Sequence, residues 1–522
     1  MSFDFIRRPG FYSGLIAGVL ATAVMIALGD LWRAPVVPQM LSDRMTAIIP
    51  VETFGQILGF LESWAKPLAF AGIVLGQVIV SGFIGLATEN VMRKGTSPWL
   101  VLPGLIGAVW LMLGLVMAPL GGLGIFAMDS TAGASNAMLA FFVIAGVFGV
   151  AIVTGVFSAL ERDGVEIDPG RRRFMRWATL GVPAVISVAY LGRFMDGLAT
   201  RSQPTGLTDT EGELPPAITP LGDFYTVSKN VVDPTVNADN WILVVDGEVE
   251  TDIGFTYDDI LEMESVTQVT TLECISNTVG GEYISNGEWT GVPLRAILER
   301  AGVRDGVVDV ALHAEDDYSD SITLEKAMSD DVILAYQLNG QQLPDQHGFP
   351  LRLVVPGIYG MKHVKWINRI EPVGEVYTGY WQERGWSDEA PVLTMSKIVT
   401  PFYQSNVPVG EPTLIGGVAY SGDRGISQVE VSLDSGQTWV DAEVEDALSD
   451  SSWVRWSYDW VPEEEHSTWI YARAYEGDGT PQIEEEQSAL PDGSTGLHDV
   501  VVTAVYMEED DDDLEDDDAG SA

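Results

Sequence analysis

Val269-Thr-Thr-Leu-Glu-Cys-Ile-Ser-Asn-Thr-Val-Gly-Gly281 holds the one cysteine of this 522-residue chain, Cys274. A lone cysteine closes no intramolecular disulfide and makes no Cys-x-x-Cys metal site. Three roles remain: a small buried hydrophobe, a reactive thiol, or a one-thiolate metal ligand. A β-branched run leads into Cys274, and Ser276, Asn277, Gly280 and Gly281 follow it. The pattern predicts a strand that delivers the thiol to a polar loop, where function is commonly mounted.

Outward from that strand the chain divides by charge. Thirteen Lys and Arg face twelve Asp and Glu in residues 1–200, and fifteen face sixty-three in residues 201–522, a net of −48 there. Self-repulsion on that scale weakens a folded domain in ordinary salt. Near 1 M salt, where screening shortens to about 3 Å, the repulsion is relieved. The expectation is a halophile's acidic domain that disfavours nucleic acid and anionic membrane surfaces as partners.

The first 200 residues read as a membrane domain. Apolar runs near 11–31, 67–88, 98–119, 137–159 and 176–195 each reach the length that crosses a bilayer core of about 30 Å. The moderately apolar stretch 36–61 reads as an interfacial loop or helix, with a sixth span as the alternative. Arg7, Arg8, Arg93, Lys94 and Arg171–Arg173 crowd alternate loops, which puts the N-terminus in the cytoplasm and everything after the fifth span outside. Arg171-Arg-Arg-Phe-Met-Arg176 before the fifth run resembles a twin-arginine export signal, with a plain basic anchor as the alternative. None of the five histidines lies in a span, and no Cys-x-x-Cys-His is present, so no haem is expected.

Residues 201–220 form a proline-bearing polar linker. Beyond it, Trp241–Val245, Asp309–Ala314 and Leu351–Val355 read as strands, and Tyr257–Met263 and Leu294–Arg300 as short helices. Residues 395–507 read as all-β: Gln428–Leu433 alternates with period two, and Asp434-Ser-Gly436 is a hairpin turn. Seven or so short strands predict an immunoglobulin-like sandwich. Residues 508–522 are an acidic tail of disordered composition.

Leu272-Glu-Cys-Ile-Ser-Asn277, Trp289-Thr-Gly-Val-Pro-Leu294, Ile333–Gly340, Leu343–Gly357 and Lys362-His-Val-Lys-Trp366 together resemble the molybdopterin domain of the sulfite oxidase superfamily. The resemblance implies an α+β cofactor domain over 221–394, between the all-α bundle and a sandwich of the dimerisation type. It implies a molybdenum–molybdopterin cofactor whose metal is ligated by Cys274. Arg352 and Lys365 match positions at the cofactor's phosphate end, where a planar fork and a point charge are natural binders. His347, His363, Val364 and Asp316 match further pterin contacts, and Phe224 and Tyr225 an aromatic pair over the cofactor. Lys362 is expected to face solvent. Where sulfite oxidases carry an arginine, the chain reads Val227-Ser-Lys-Asn230, leaving Lys229 as the local cation. Where they carry a tyrosine, Trp381-Gln-Glu-Arg-Gly-Trp386 places Trp386.

The expected function is a membrane-anchored, extracytoplasmic molybdenum oxidoreductase. It would transfer an oxygen atom to or from a small sulfur or nitrogen oxo-compound and exchange electrons with a separate carrier or quinone, as a possible homodimer. The alternative is a cofactor-free cell-surface binding protein that keeps the fold.

Overall fold

A computed structural model describes residues 4–32, 34–48, 65–121, 123–128, 134–160, 206–230 and 233–506. The fifth apolar run, the arginine motif before it and the acidic tail lie outside the described residues.

Four long apolar helices build the N-terminal bundle: α1 (Pro9–Trp32), α3 (Ala65–Arg93), α4 (Pro98–Met112, running on through a π-type turn Leu113–Met117 to Leu120) and α5 (Ala134–Leu160). Each holds a stretch of 21 to 26 residues long and apolar enough to cross a membrane. Gly10, Gly14 and Gly18 recur every fourth residue on α1, leaving a smooth face for close backbone approach. A Cβ at Gly14 would sit 2.1 Å from the Ser81 carbonyl oxygen, and one at Gly85 2.0 Å from that of Gly10. At the end of this seam the Glu89 carboxylate is fully buried, accepting from the Gly10 amide at 2.8 Å and pairing with Arg8 and Arg93. The stretch read as interfacial contains α2 (Val37–Ile48), between α1 and α3.

The central domain pairs two sheets. One has the order β2-β1-β10-β5-β6: β1 (Ile242–Val245), β2 (Ile253–Thr256), β5 (Asp309–Ala314), β6 (Ser319–Thr323) and β10 (Ile367–Val373). β1 and β10 run parallel and the other neighbours antiparallel. The second sheet is antiparallel with the order β3-β4-β7-β8: β3 (Val266–Glu273), β4 (Ile284–Pro293), β7 (Ile333–Leu338) and β8 (Gln341–Gln342). β9 (Arg352–Val354) also pairs with β7. Short helices α6 (Tyr257–Leu261), α7 (Leu294–Ala301) and α8 (Leu324–Ala327) complete it. Leu294, Ile297, Leu298 and Ala301 put the apolar face of α7 into a core shared with Leu243, Leu312, Leu334 and Leu353.

The last domain is a β-sandwich. β11 (Met395–Thr400), β13 (Thr413–Tyr420), β17 (Val454–Trp460) and β16 (Glu443–Val444) form one sheet. β12 (Ser405–Pro408), β19 (His498–Val505), β18 (His466–Glu476), β14 (Ile426–Ser432) and β15 (Val440–Asp441) form the other. Ile415 and Trp456 of the first sheet meet Val431, Ile470 and Val502 of the second in one core.

This sandwich braces the strand that carries the cysteine. Thr271 on β3 donates its amide to the Ser451 carbonyl at 2.9 Å, its carbonyl accepts from the Tyr420 hydroxyl at 3.0 Å, and its hydroxyl accepts from the Trp453 amide at 2.8 Å. Lys397, buried on β11, donates to the carbonyls of Leu207 (2.7 Å) and Gly281 (3.3 Å). The second half of the expected linker is therefore pinned between the two domains. The Thr219 amide adds a 2.8 Å bond to the Asn286 carbonyl.

Candidate functional site

β3 becomes buried toward its C-terminal end and stops one residue before Cys274, which begins a tight loop. The loop is held by the Asn277 side chain, whose Nδ2 donates to Glu273 Oε1 (2.9 Å) and whose Oδ1 accepts from the Tyr283 backbone amide (3.0 Å). Cys274 Sγ lies 3.0 Å from Ser276 Oγ and faces a cleft of about 730 Å³. Glu273 is buried beside it, and burial pushes its carboxyl up to about 7.

One end of the cleft is cationic. Arg352, on β9, is buried, with its guanidinium 5.3 Å from the Trp289 ring and one NH1 bond of 3.4 Å to the His347 carbonyl. Burial lowers its pKa to about 10. Lys365 Nζ donates to the carbonyls of Val227 and Gln346, each at 3.1 Å. His347 is fully buried, and burial, then Arg352 and Lys365, hold it well below the ordinary histidine range. Burial takes His363 down to about 3; its Nδ1 accepts from the Val355 amide and its Nε2 donates to the Ile358 carbonyl. Both imidazoles are therefore neutral at neutral pH.

The other end is aromatic and apolar. Trp381 and Trp386 stack with centroids 4.0 Å apart, and Tyr318 and Met361 join them on the wall. Lys229 lies here, but its charge is offset: Nζ donates to the Asp316 carbonyl at 2.6 Å and stands 3.6 Å from the Asp316 carboxylate. Asn230, fully buried, links them, accepting from Lys229 (3.2 Å) and donating to Asp316 Oδ2 (2.7 Å).

Of the residues read from the sequence, Tyr225, Lys229, Cys274, Asp316, His347, Arg352, His363, Val364, Lys365 and Trp386 all line this cleft. Phe224 does not; it stands behind, edge-on to Trp289 and His347 at 5.5 Å each. Lys362 departs from its expected solvent exposure. Its ammonium is buried on Asp320 (2.9 Å) and the Ser321 carbonyl (2.9 Å), reaching Asp388 at 3.1 Å. The residues beside it in sequence gave no hint, because Asp320 and Ser321 come from β6 and Asp388 from a later loop. Tyr318, Gln346, Met361 and Asn230 were not singled out; each sits within two residues of one that was.

The cleft fits a phosphate-bearing metal cofactor on two counts. Arg352 Nε and His347 Nδ1 are buried without a hydrogen-bond partner among the described residues, which is costly unless a bound group supplies one. Cys274 offers one soft thiolate, so a metal held there brings its other ligands with it, as a pterin dithiolene does.

Comparison with known families agrees. The family "Oxidoreductase molybdopterin binding domain" matches residues 230–381, and "Mo-co oxidoreductase dimerisation domain" matches residues 389–485. Mitochondrial sulfite oxidase of Rattus norvegicus is 33% identical over 271 residues, covering 44% of this chain and 49% of that protein. NADH nitrate reductase of Solanum lycopersicum is 31% identical over 278 residues, covering 42% and 30%. The chain thus spans half or less of the length of these curated relatives. Among solved structures, the sulfane dehydrogenase SoxCD from Paracoccus pantotrophus matches with a TM-score of 0.48 and 26% identity, over 56% of this chain and 84% of that one.

Proposed function

We propose that this chain is a membrane-anchored, extracytoplasmic molybdenum oxidoreductase acting on a small sulfur or nitrogen oxo-compound. The observation that carries the reading is the placement of Cys274 at a strand end, lining the same cleft as Arg352, His347 and Lys365. When bound, a molybdopterin supplies two-electron oxygen-atom transfer, and the chain binds and orients it. Arg352 and Lys365 would hold its phosphate, Cys274 its metal, and neutral His347 and His363 would donate or accept without adding charge.

The substrate end favours an uncharged compound over a sulfite dianion. Lys229 is already offset by Asp316, and Trp386 offers no phenol. The Trp381–Trp386 stack suits the apolar flank of a sulfoxide or an amine oxide. Electrons would pass to or from a separate carrier or quinone. The dimerisation-type domain, which we read as immunoglobulin-like, supports a homodimer. Catalysis outside the membrane follows the basic-loop pattern, the arginine motif suits export of a folded, cofactor-loaded domain, and the acidic half suits a saline medium.

The test is metal analysis of the purified chain, then a reduction-and-reoxidation screen with sulfite, sulfoxides and amine oxides that follows the Mo(V) signal. About one Mo per chain and reoxidation by an uncharged oxide are expected. Less than a small fraction of one Mo would favour a cofactor-free binding protein. Cys274→Ser should abolish turnover and keep the fold; retained activity would overturn the assignment.

A further inference from the structure

The sequence assigns the bundle to anchoring, yet one of its elements reaches Asn230, which is bonded to two residues of the cleft wall. α2 is held on the bundle through Val37 and Met40, which with Ala34 just before the helix are buried in the bundle's core, and the Val37 amide lies 3.2 Å from Met25 Sδ. On its other side, Gln39 Nε2 donates to Asn230 Oδ1 at 2.9 Å. α2 also packs beside the turn Gln382–Arg384, between the two stacked tryptophans. Asn230 is the residue that joins Lys229 to Asp316. All three are nearly sealed from water, with side-chain exposures of 6% for Lys229 and 7% for Asp316.

We propose that α2 of the membrane half braces the wall of the catalytic pocket from behind, with Gln39 as a positioning residue for the Lys229–Asn230–Asp316 cluster. Asn230 Oδ1 takes two donors, Gln39 and Lys229, and its amide nitrogen fixes Asp316. Remove Gln39 and a buried carbonyl loses one of its bonds, which weakens the hold on the amide and on the lysine it accepts from. Lys229 is the cation at the end of the cleft where the oxo-compound would bind. The bundle thereby braces the cluster that backs this end of the cleft.

Two arms test this on the full-length, cofactor-loaded protein in detergent; only the second rests on the proposed function. In the first, Gln39→Cys and Arg44→Cys are labelled with a charged maleimide against the parent, whose one thiol is buried. Arg44 is exposed on the same helix. Docking predicts labelling at Gln39→Cys at least about tenfold slower than at Arg44→Cys; equal rates would overturn the proposal whatever the metal content. In the second, Gln39→Ala should keep full Mo content but raise KM about three- to tenfold, with kcat within about twofold, and change the Mo(V) line shape. These magnitudes are those of one lost buried hydrogen bond. Gln39→Glu, which cannot donate to Asn230, should do at least as much. Unchanged KM and Mo(V) signal in both variants, alongside normal Mo content, would show that α2 touches the domain without positioning the site, and that too overturns the proposal.

Discussion

Replacing Lys362 by methionine keeps the length of the side chain and removes its charge. The partner left behind is Asp320, fully buried, with Tyr318 Oη at 2.9 Å and the Ser321 amide at 2.9 Å as its other contacts. Stranding a buried carboxylate in this way costs about 3–5 kcal/mol. Asp320 already has a raised pKa, because its burial outweighs the help of Lys362. Without the ammonium it rises further, and protonation becomes the way out.

The sign follows from linkage. A carboxyl whose pKa is raised on folding contributes stability that is full below its unfolded value, near 4, and is lost as pH rises through the folded value. Lys362→Met widens that window upward. The variant should therefore lose about 3–5 kcal/mol at pH 8 and distinctly less at pH 5. Urea unfolding of the full chain at high KCl, followed by tryptophan fluorescence, measures both. High salt sharpens the comparison, since it screens surface pairs and leaves a buried one almost untouched. Adding Asp320→Leu should recover most of the loss, as apolar replacement of a buried pair commonly does. A cost under about 1 kcal/mol at pH 8, or an equal cost at both pH values, refutes the reasoning.

Further outcomes are expected elsewhere. Arg352→Ala should lower Mo per chain severalfold, and Arg352→Lys should restore it only in part, since a point charge replaces a planar fork; metal analysis reads both. Gly14→Leu has no room against the Ser81 backbone, so the α1–α3 seam must open. Its melting temperature in detergent should fall well below that of Gly72→Leu, whose Cβ meets open space. His498, held down to about 4 chiefly by burial, accepts from the Ile398 amide at 3.0 Å. The unfolded chain binds more protons between about 6.5 and 4, so this contribution is present above pH 6.5 and is lost as pH falls toward 4. His498→Gln should flatten the acid limb of the stability curve.

Much of the catalytic half was legible because its signals are local. The strand Asp309–Ala314 has the bounds read for it from the sequence, and the helix read at Leu294–Arg300 runs one residue further. Cys274 stands where the β-branched run said it would, at a strand end. Arg352 was harder: alternation with Leu351, Leu353 and Val355 fits a solvated strand face equally well, and only the second sheet and Trp289 decide that it is buried. Lys362 was misread for the same reason, since Asp320 is forty-two residues away in the chain and on another strand. Gln39 lay furthest from reach. Nothing in a short amphipathic stretch between two apolar runs names an asparagine 191 residues later as its partner.

That bond also constrains sidedness. α2 follows directly from the end of α1, and the catalytic half touches it. From there α3, α4 and α5 carry the chain away, back and away again. Leu160 ends near the start of α1, where Gly155 packs on Ser13. Leu160 and Gly206 therefore stand at opposite ends of the bundle. With the four described helices in a bilayer, the catalytic half lies on the side where α1 ends and α2 begins. The compartment that receives the catalytic half is then the one into which the C-terminal end of α1 emerges.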